Sequence, residues 1–227
     1  MQRATELHSV TQTLAAGRFT GLRLQSRPQT RGLAGELQAI MAALVAAHQR
    51  YLAARDEVLV ATAEVEYLDG EVDIDVVQLG REARPLVKGD TSHPDWMLAF
   101  PISPSAGTAQ VGGNAQARYV NNLVDRINTL DTFAPLRDRA AEVKVKLDTL
   151  TAAEAEREVK RQALGQARQE RRVAQLQVHK VYNLLYPRAQ LVFPEQLRLV
   201  ESFFYTFVEA GQPKPVVEDG ETEDAEG

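Results

Sequence analysis

The chain has 227 residues, 44% apolar and 25% charged, with aromatics at only 6%, a net charge of −5 and no cysteine. Such a composition is that of a folded protein whose core is built from Ala, Leu and Val, and the lack of cysteine excludes disulfides, thiolate metal sites and a cysteine nucleophile. No run approaches the roughly 18–20 apolar residues needed to span a bilayer, and the acidic excess is local, because residues 218–227 (EDGETEDAEG) hold six carboxylates and no base.

The amino terminus, MQRATELHSVTQTLAAGRF, carries polar residues every two or three positions and no continuous apolar stretch. It does not read as a secretory signal, and the expected location is cytoplasmic. Residues 2–15 predict a short helix with Leu7, Val10 and Leu14 inward and Gly17 as its stop. Within 18–32 the alternation RFTGLRLQSR reads as extended, so 1–32 is expected to form a separate short helix and irregular segment.

Residues 33–87 carry the strongest signal. Every seventh position from Leu37 is apolar: Leu37, Leu44, Tyr51, Val58, Val65, Val72, Leu79 and Leu86. At this composition eight in a row arise by chance on the order of one time in a thousand. A second row holds Ile40, Ala47, Ala54, Ala61 and Leu68, then shifts by one residue to Val76 and Ala83, beside Gly70. This predicts one long helix with a small-residue seam that admits a close neighbour. Gly70 and Gly80 weaken it and Pro85 ends or kinks it.

Residues 88–113 (KGDTSHPDWMLAFPISPSAGTAQVGG) break the pattern with four glycines and three prolines and read as a long loop. The WMLAF segment, holding Trp96 and Phe100, is expected either to cap the end of the bundle or to dock a partner. Helical periodicity resumes after Asn114 with Val120, Leu123, Val124, Ile127 and Leu130 on one face, and Thr132 before Pro135 marks a new start. Leu136, Ala140, Val143, Leu147 and Leu150 continue the stripe, followed by the sparser Ala152, Ala155, Val159 and Ala163 and then Val173, Leu176, Val181 and Leu184. Thr151 with Glu154 has the form of a capping box, so 114–187 reads either as one kinked helix or as several, stopped by Pro187.

A short aromatic helix is predicted over 194–209. Seven of the fourteen aromatic residues lie between Tyr182 and Phe207, a block that reads equally as internal core or as a contact surface, and Phe203, Phe204 and Phe207 are candidate interaction residues alongside Trp96 and Phe100. Beyond 211 the chain is too polar and acidic to offset its ordering entropy and is expected to be disordered. The fold class that follows is all-α: an elongated antiparallel helical bundle or hairpin with coiled-coil-like heptad packing over 33–210.

Residues that carry chemistry do not converge. His8, His48, His93 and His179 are dispersed and fit no H-x-x-x-H or H-E-x-x-H pattern, and only Asp90-x-x-His93 approaches a metal-binding spacing. Glu66, Asp69 and Asp73 share a helix face but miss the calcium-loop register, because glycine stands second and not sixth. No G-x-S-x-G, phosphate-loop or dinucleotide fingerprint occurs. We therefore expect no catalytic, cofactor or metal site. Arg157, Arg161, Arg168 and Arg172 project within about 60° of one another on a helix, a stripe suited to phosphates and equally to ordinary surface pairs with Glu154 and Glu158. Two functions remain: a structural or scaffolding protein that contacts itself or a protein partner, and a helical adaptor that docks on nucleic acid or another polyanion through the arginine stripe.

Overall fold

The computed structural model describes residues 9–109 and 113–205, and all regular structure among them is helical. The chain divides into two compact units. One combines residues up to Arg50 with those from Arg168 onward, and the other comprises Tyr51–Ala167. Two long helices contribute to both.

The first helix, α1 (Val10–Gln25), opens with a reciprocal capping box: the Gln12 backbone N–H donates to the Ser9 hydroxyl at 3.1 Å and the Ser9 N–H to the Gln12 side-chain oxygen at 2.8 Å. It does not stop at Gly17, and the segment expected to be extended is its second half. Its buried residues, Thr13, Ala16, Gly17, Thr20, Gly21 and Leu24, recur at helical spacing, whereas Leu22 is exposed, so the apparent alternation at Leu22 and Leu24 was misleading. Gly17 is there for close approach: a Cβ on it would lie 2.3 Å from the Met41 sulfur.

After a 3-10 turn at Pro28–Thr30, α2 runs over Arg31–Ala83, close to the predicted 33–87. A second 3-10 turn at Arg84–Val87 contains Pro85, and Lys88 (φ 55°) with Gly89 (φ 81°) turns the chain away in the left-handed region. The predicted loop holds two short helices, α3 (Pro94–Ala99) and α4 (Pro104–Thr108). Then α5 (Gly113–Thr129) ends before a 3-10 segment at Asp131–Leu136 that contains Pro135, as expected.

From Arg137 to Val192 the chain is one unbroken helix, α6. Thr151 does not cap a new start; its hydroxyl donates to the Leu147 carbonyl at 2.9 Å, within the helix. Nor does Pro187 stop it. Pro187 is exposed near the helix end, where solvent can meet the carbonyl that a proline leaves without its bond. The last helix, α7 (Leu197–Glu201), is shorter than the predicted 194–209.

In the unit formed by the chain's two ends, α1 is part of the core and not a separate segment. Leu24, Leu37, Leu44, Val178, Leu185 and Val200 pack there with Tyr182, Phe203 and Phe204. The Phe204 ring meets Tyr182 edge-on at 5.7 Å and Tyr186 at 5.4 Å. Antiparallel pairing of α2 with α6 in this unit is marked by the ion pairs Arg50–Glu170, at 3.1 Å, and Arg188–Glu36.

In the Tyr51–Ala167 unit, α2, α5 and α6 share a core of Val72, Val76, Leu79, Leu123, Ile127, Val143 and Leu147, closed by Phe100 and Phe133. Asp75 is buried and paired with Arg139 and Lys146, each at 2.6 Å, while Lys146 also reaches Glu71 at 3.1 Å. A buried carboxylate between two cations ties α2 to α6 in register.

The inward side of α6 in this unit differs from the predicted one. Ala152, Ala155, Val159 and Ala163 are exposed, and Leu150, Ala153, Arg157, Lys160, Leu164 and Ala167 turn inward at alternating three- and four-residue spacing. Arginine and lysine can occupy such positions by laying their stems along the seam. Their heads find carboxylates: the Lys160 ammonium is 2.8 Å from Glu156, and that bond, with the fields of Glu57 and Glu64, raises its pKa.

Candidate interaction surfaces

The loop candidates close the Tyr51–Ala167 unit. The Trp96 and Phe100 rings lie 4.5 Å apart, and Phe100 packs edge-on against Phe133 at 6.1 Å. Phe100 is buried and Trp96 half-buried on the core, while Met97 and Leu98 face outward. His93 caps α3 by accepting the Asp95 N–H at 3.2 Å, and Asp90 accepts the Ser92 N–H at 2.8 Å. Both members of the nearest metal-like spacing thus serve local turns. The Thr132 hydroxyl, donating to Asp95, fastens α3 to the segment before α6. A Cβ on Gly80 would lie 2.5 Å from Pro104, so that glycine lets α4 sit on α2; beside it a cavity of about 260 Å³ is lined by Val77, Arg81, Arg84, Thr91 and Trp96.

The described part of the aromatic block packs into the core of its unit, with Tyr182, Phe203 and Phe204 buried and Tyr186, Phe193 and Tyr205 half-buried. Phe203 and Phe204 retain 2% and 6% of their exposure, and Phe207 lies outside the described residues, as does the acidic tail. Phe203 and Phe204 therefore hold α7 down and are not offered to a partner. Tyr182 organises the block: its hydroxyl accepts the Tyr205 N–H at 3.1 Å and the Thr20 hydroxyl at 3.4 Å, and burial raises its pKa.

Three of the four arginines of the stripe are exposed. Arg157 turns inward beside Glu154, whereas Arg161, Arg168 and Arg172 are exposed, and the first two belong to one unit and the last two to the other. Arg168 and Arg172 line a cavity of about 320 Å³ with Arg171, Gln175, Leu176 and His179. The Thr13 hydroxyl lies 3.0 Å from the Ser9 carbonyl and 2.9 Å from Nε2 of His179, within hydrogen-bond distance of both. Guanidinium groups around a cleft suit an anion; Arg171 was not singled out in the sequence, and His179 was weighed there only as a metal ligand.

A different feature lies on the outward face of α2, opposite its buried seam. Leu59, Val60, Tyr67 and Ile74 are 59%, 67%, 66% and 65% exposed. Val60, Ala63, Tyr67, Gly70 and Ile74 follow one another at steps of three, four, three and four residues, a second heptad seam on the same helix. A Cβ on Gly70 would meet nothing within 4 Å. The glycine read as a weak point is thus a shallow place in an outward seam. Nothing but the choice of phase hid it, because the same seven-residue count started from Val60 reveals it.

Among the described residues no cluster of three histidines or carboxylates is placed to hold a metal ion, and no helix is long and apolar enough to cross a membrane. No protein-family model matches the chain, and comparison with curated proteins and with solved structures finds no match.

Proposed function

We propose that this chain is a non-enzymatic helical scaffold that acts through protein–protein contact, and that the contact is made by the outward face of α2. The observation that supports this is the row of exposed Val60, Tyr67 and Ile74 at seven-residue spacing, with exposed Leu59 beside it. Single exposed apolar residues are ordinary, but a row at heptad spacing is what a second helix recognises. The alternative, an adaptor for a polyanion, is favoured by the arginine-lined cleft of Arg168, Arg171 and Arg172.

One variant set separates the two. In extract of the native cell, the wild-type chain is expected to migrate in a complex larger than itself on size-exclusion chromatography. Tyr67→Asp with Ile74→Asp should return it to the free position while leaving its circular dichroism unchanged. Arg168→Glu with Arg172→Glu should leave the complex intact. The reverse pattern supports the polyanion reading, and a wild-type chain that migrates alone refutes the scaffold.

A further inference from the structure

Charge around the outward seam of α2 says what kind of helix it takes. In a coiled coil the positions that flank the seam choose the partner. Here they are Glu57, Glu64 and Glu71 on one side and Leu59, Glu66 and Asp73 on the other. Five of six are carboxylates, and Glu57, Glu64 and Glu66 are exposed. The seam itself alternates bulky Val60, Tyr67 and Ile74 with small Ala63 and Gly70, leaving recesses for large side chains from the other helix. From Val60 to Ile74 it extends about 21 Å at 1.5 Å per residue, four helical turns.

We infer that this face docks an amphipathic helix of a different protein, with leucine-like residues along its seam and Lys or Arg on both flanks. The inference rests on the scaffold reading above and adds the partner's chemistry. A second copy does not fit by the same face, because parallel or antiparallel pairing alike sets acid against acid. Nor does a second copy fit by the exposed column of α6. The flanks of Val145, Ala152 and Val159 are Thr149, Glu156 and Ala163 on one side and Lys144, Thr151 and Glu158 on the other, two acids against one base. The chain's own tail, with six carboxylates in residues 218–227, is repelled as well.

The test uses the full chain and three labelled synthetic peptides, each three heptads long: Leu seam with Lys flanks, the same seam with Glu flanks, and the Lys peptide in scrambled order. Fluorescence anisotropy should show the first binding at least tenfold more tightly than the other two, less so at high salt. Val60→Asp and Tyr67→Asp should each weaken it tenfold or more. Both add negative charge, so a merely ionic attraction would strengthen and not weaken. Glu57→Lys with Glu64→Lys and Glu66→Lys should transfer the preference to the Glu-flanked peptide.

Equal binding of the scrambled peptide, or binding unaffected by Tyr67→Asp, overturns the inference, as does no binding at all. Concentration-dependent dimerisation abolished by Tyr67→Asp makes a second copy the occupant. That result overturns the basic partner but leaves the face a protein-contact surface, whereas loss of the native complex is read separately by size-exclusion chromatography.

Discussion

The outward and inward sides of α2 should differ sharply in what they contribute to stability, and Leu79→Ala against Ile74→Ala measures that difference within one helix. Leu79 is fully buried in the Tyr51–Ala167 core, whereas Ile74, five residues earlier, is 65% exposed. Truncating Leu79 removes about 2.4 kcal/mol of transfer energy at about 0.8 kcal/mol per methylene. The cavity left behind brings the cost to roughly 3–4 kcal/mol. Ile74→Ala forfeits about a third of a comparable transfer term, and the better helix propensity of alanine returns roughly 0.4 kcal/mol of it. Its net cost should therefore stay below about 0.5 kcal/mol. Urea denaturation is the assay, and Trp96, the only tryptophan, reports on this unit because it packs on the same core. With a slope near 2 kcal/mol per molar urea, Leu79→Ala should lower the midpoint by about 1.5–2 M and Ile74→Ala should scarcely move it. Equal shifts for the two would mean that Ile74 is covered in the folded protein, and the outward seam would then be core. A cost for Ile74→Ala that grows with protein concentration would point to self-association through that face.

Two predictions concern pH. Burial and the neighbouring Asp69 raise the Asp73 pKa, against the hydrogen bonds from Gln116, at 2.8 Å, and Thr108. For a carboxyl whose folded pKa is raised, the stabilisation is complete below its unfolded value and is lost as pH rises through the folded one. Asp73→Asn, which keeps an acceptor for Gln116, should therefore raise the melting temperature at neutral pH by about 1–2 °C, and the two proteins should converge in acid; a variant that melts lower at neutral pH refutes this. Burial pushes the Tyr119 phenol up to about 12. Its contribution is complete below the ordinary tyrosine value near pH 10 and fades as pH rises toward the folded value, so Tyr119→Phe should lose less Trp96-detected stability across that interval than the wild type. An identical alkaline loss in both would show that Tyr119 does not titrate with unfolding.

Much of the fold was legible because its strongest determinants are apolar and periodic. Leu37, Leu44, Val65, Val72 and Leu79 of the predicted row are buried, with Tyr51 and Val58 half-buried between them, and the turn chemistry of Pro85, Gly89 and Pro135 marks real breaks. What misled were positions where burial does not require hydrophobicity. In α1 the buried residues are mostly Thr, Gly and Ala, small enough for close helix contact and indistinct on any hydropathy pattern. In α6 the eye follows Ala152, Ala155 and Val159, but the helix turns Arg157 and Lys160 inward because stems can pack while heads reach carboxylates. The division into two units left little trace in composition, since α2 carries no glycine or proline near Arg50 and Tyr51, where it passes from one to the other, and α6 carries only Gly165, two residues before Ala167. The aromatic cluster was legible as a hydrophobic block but not as core or contact surface, because abundance alone does not tell one from the other; the burial of Phe203 and Phe204 assigns those two to the core.

The inward cations of α6 and the outward seam of α2 are two sides of one arrangement. Lys146 bonds Glu71, and Lys160 lies in the field of Glu57 and Glu64. The row of acids along that flank of the outward seam is thus already balanced, in part, from within the unit. On the other flank Asp73 is held by Gln116 of α5, and Glu66 stands exposed between Leu59 and Asp73. In the docking proposed above, charge selection falls most heavily on Glu66, the exposed acid of that flank. The same proposal places a base of the partner helix opposite Glu66, with the recesses at Ala63 and Gly70 left to decide whether its apolar residues fit.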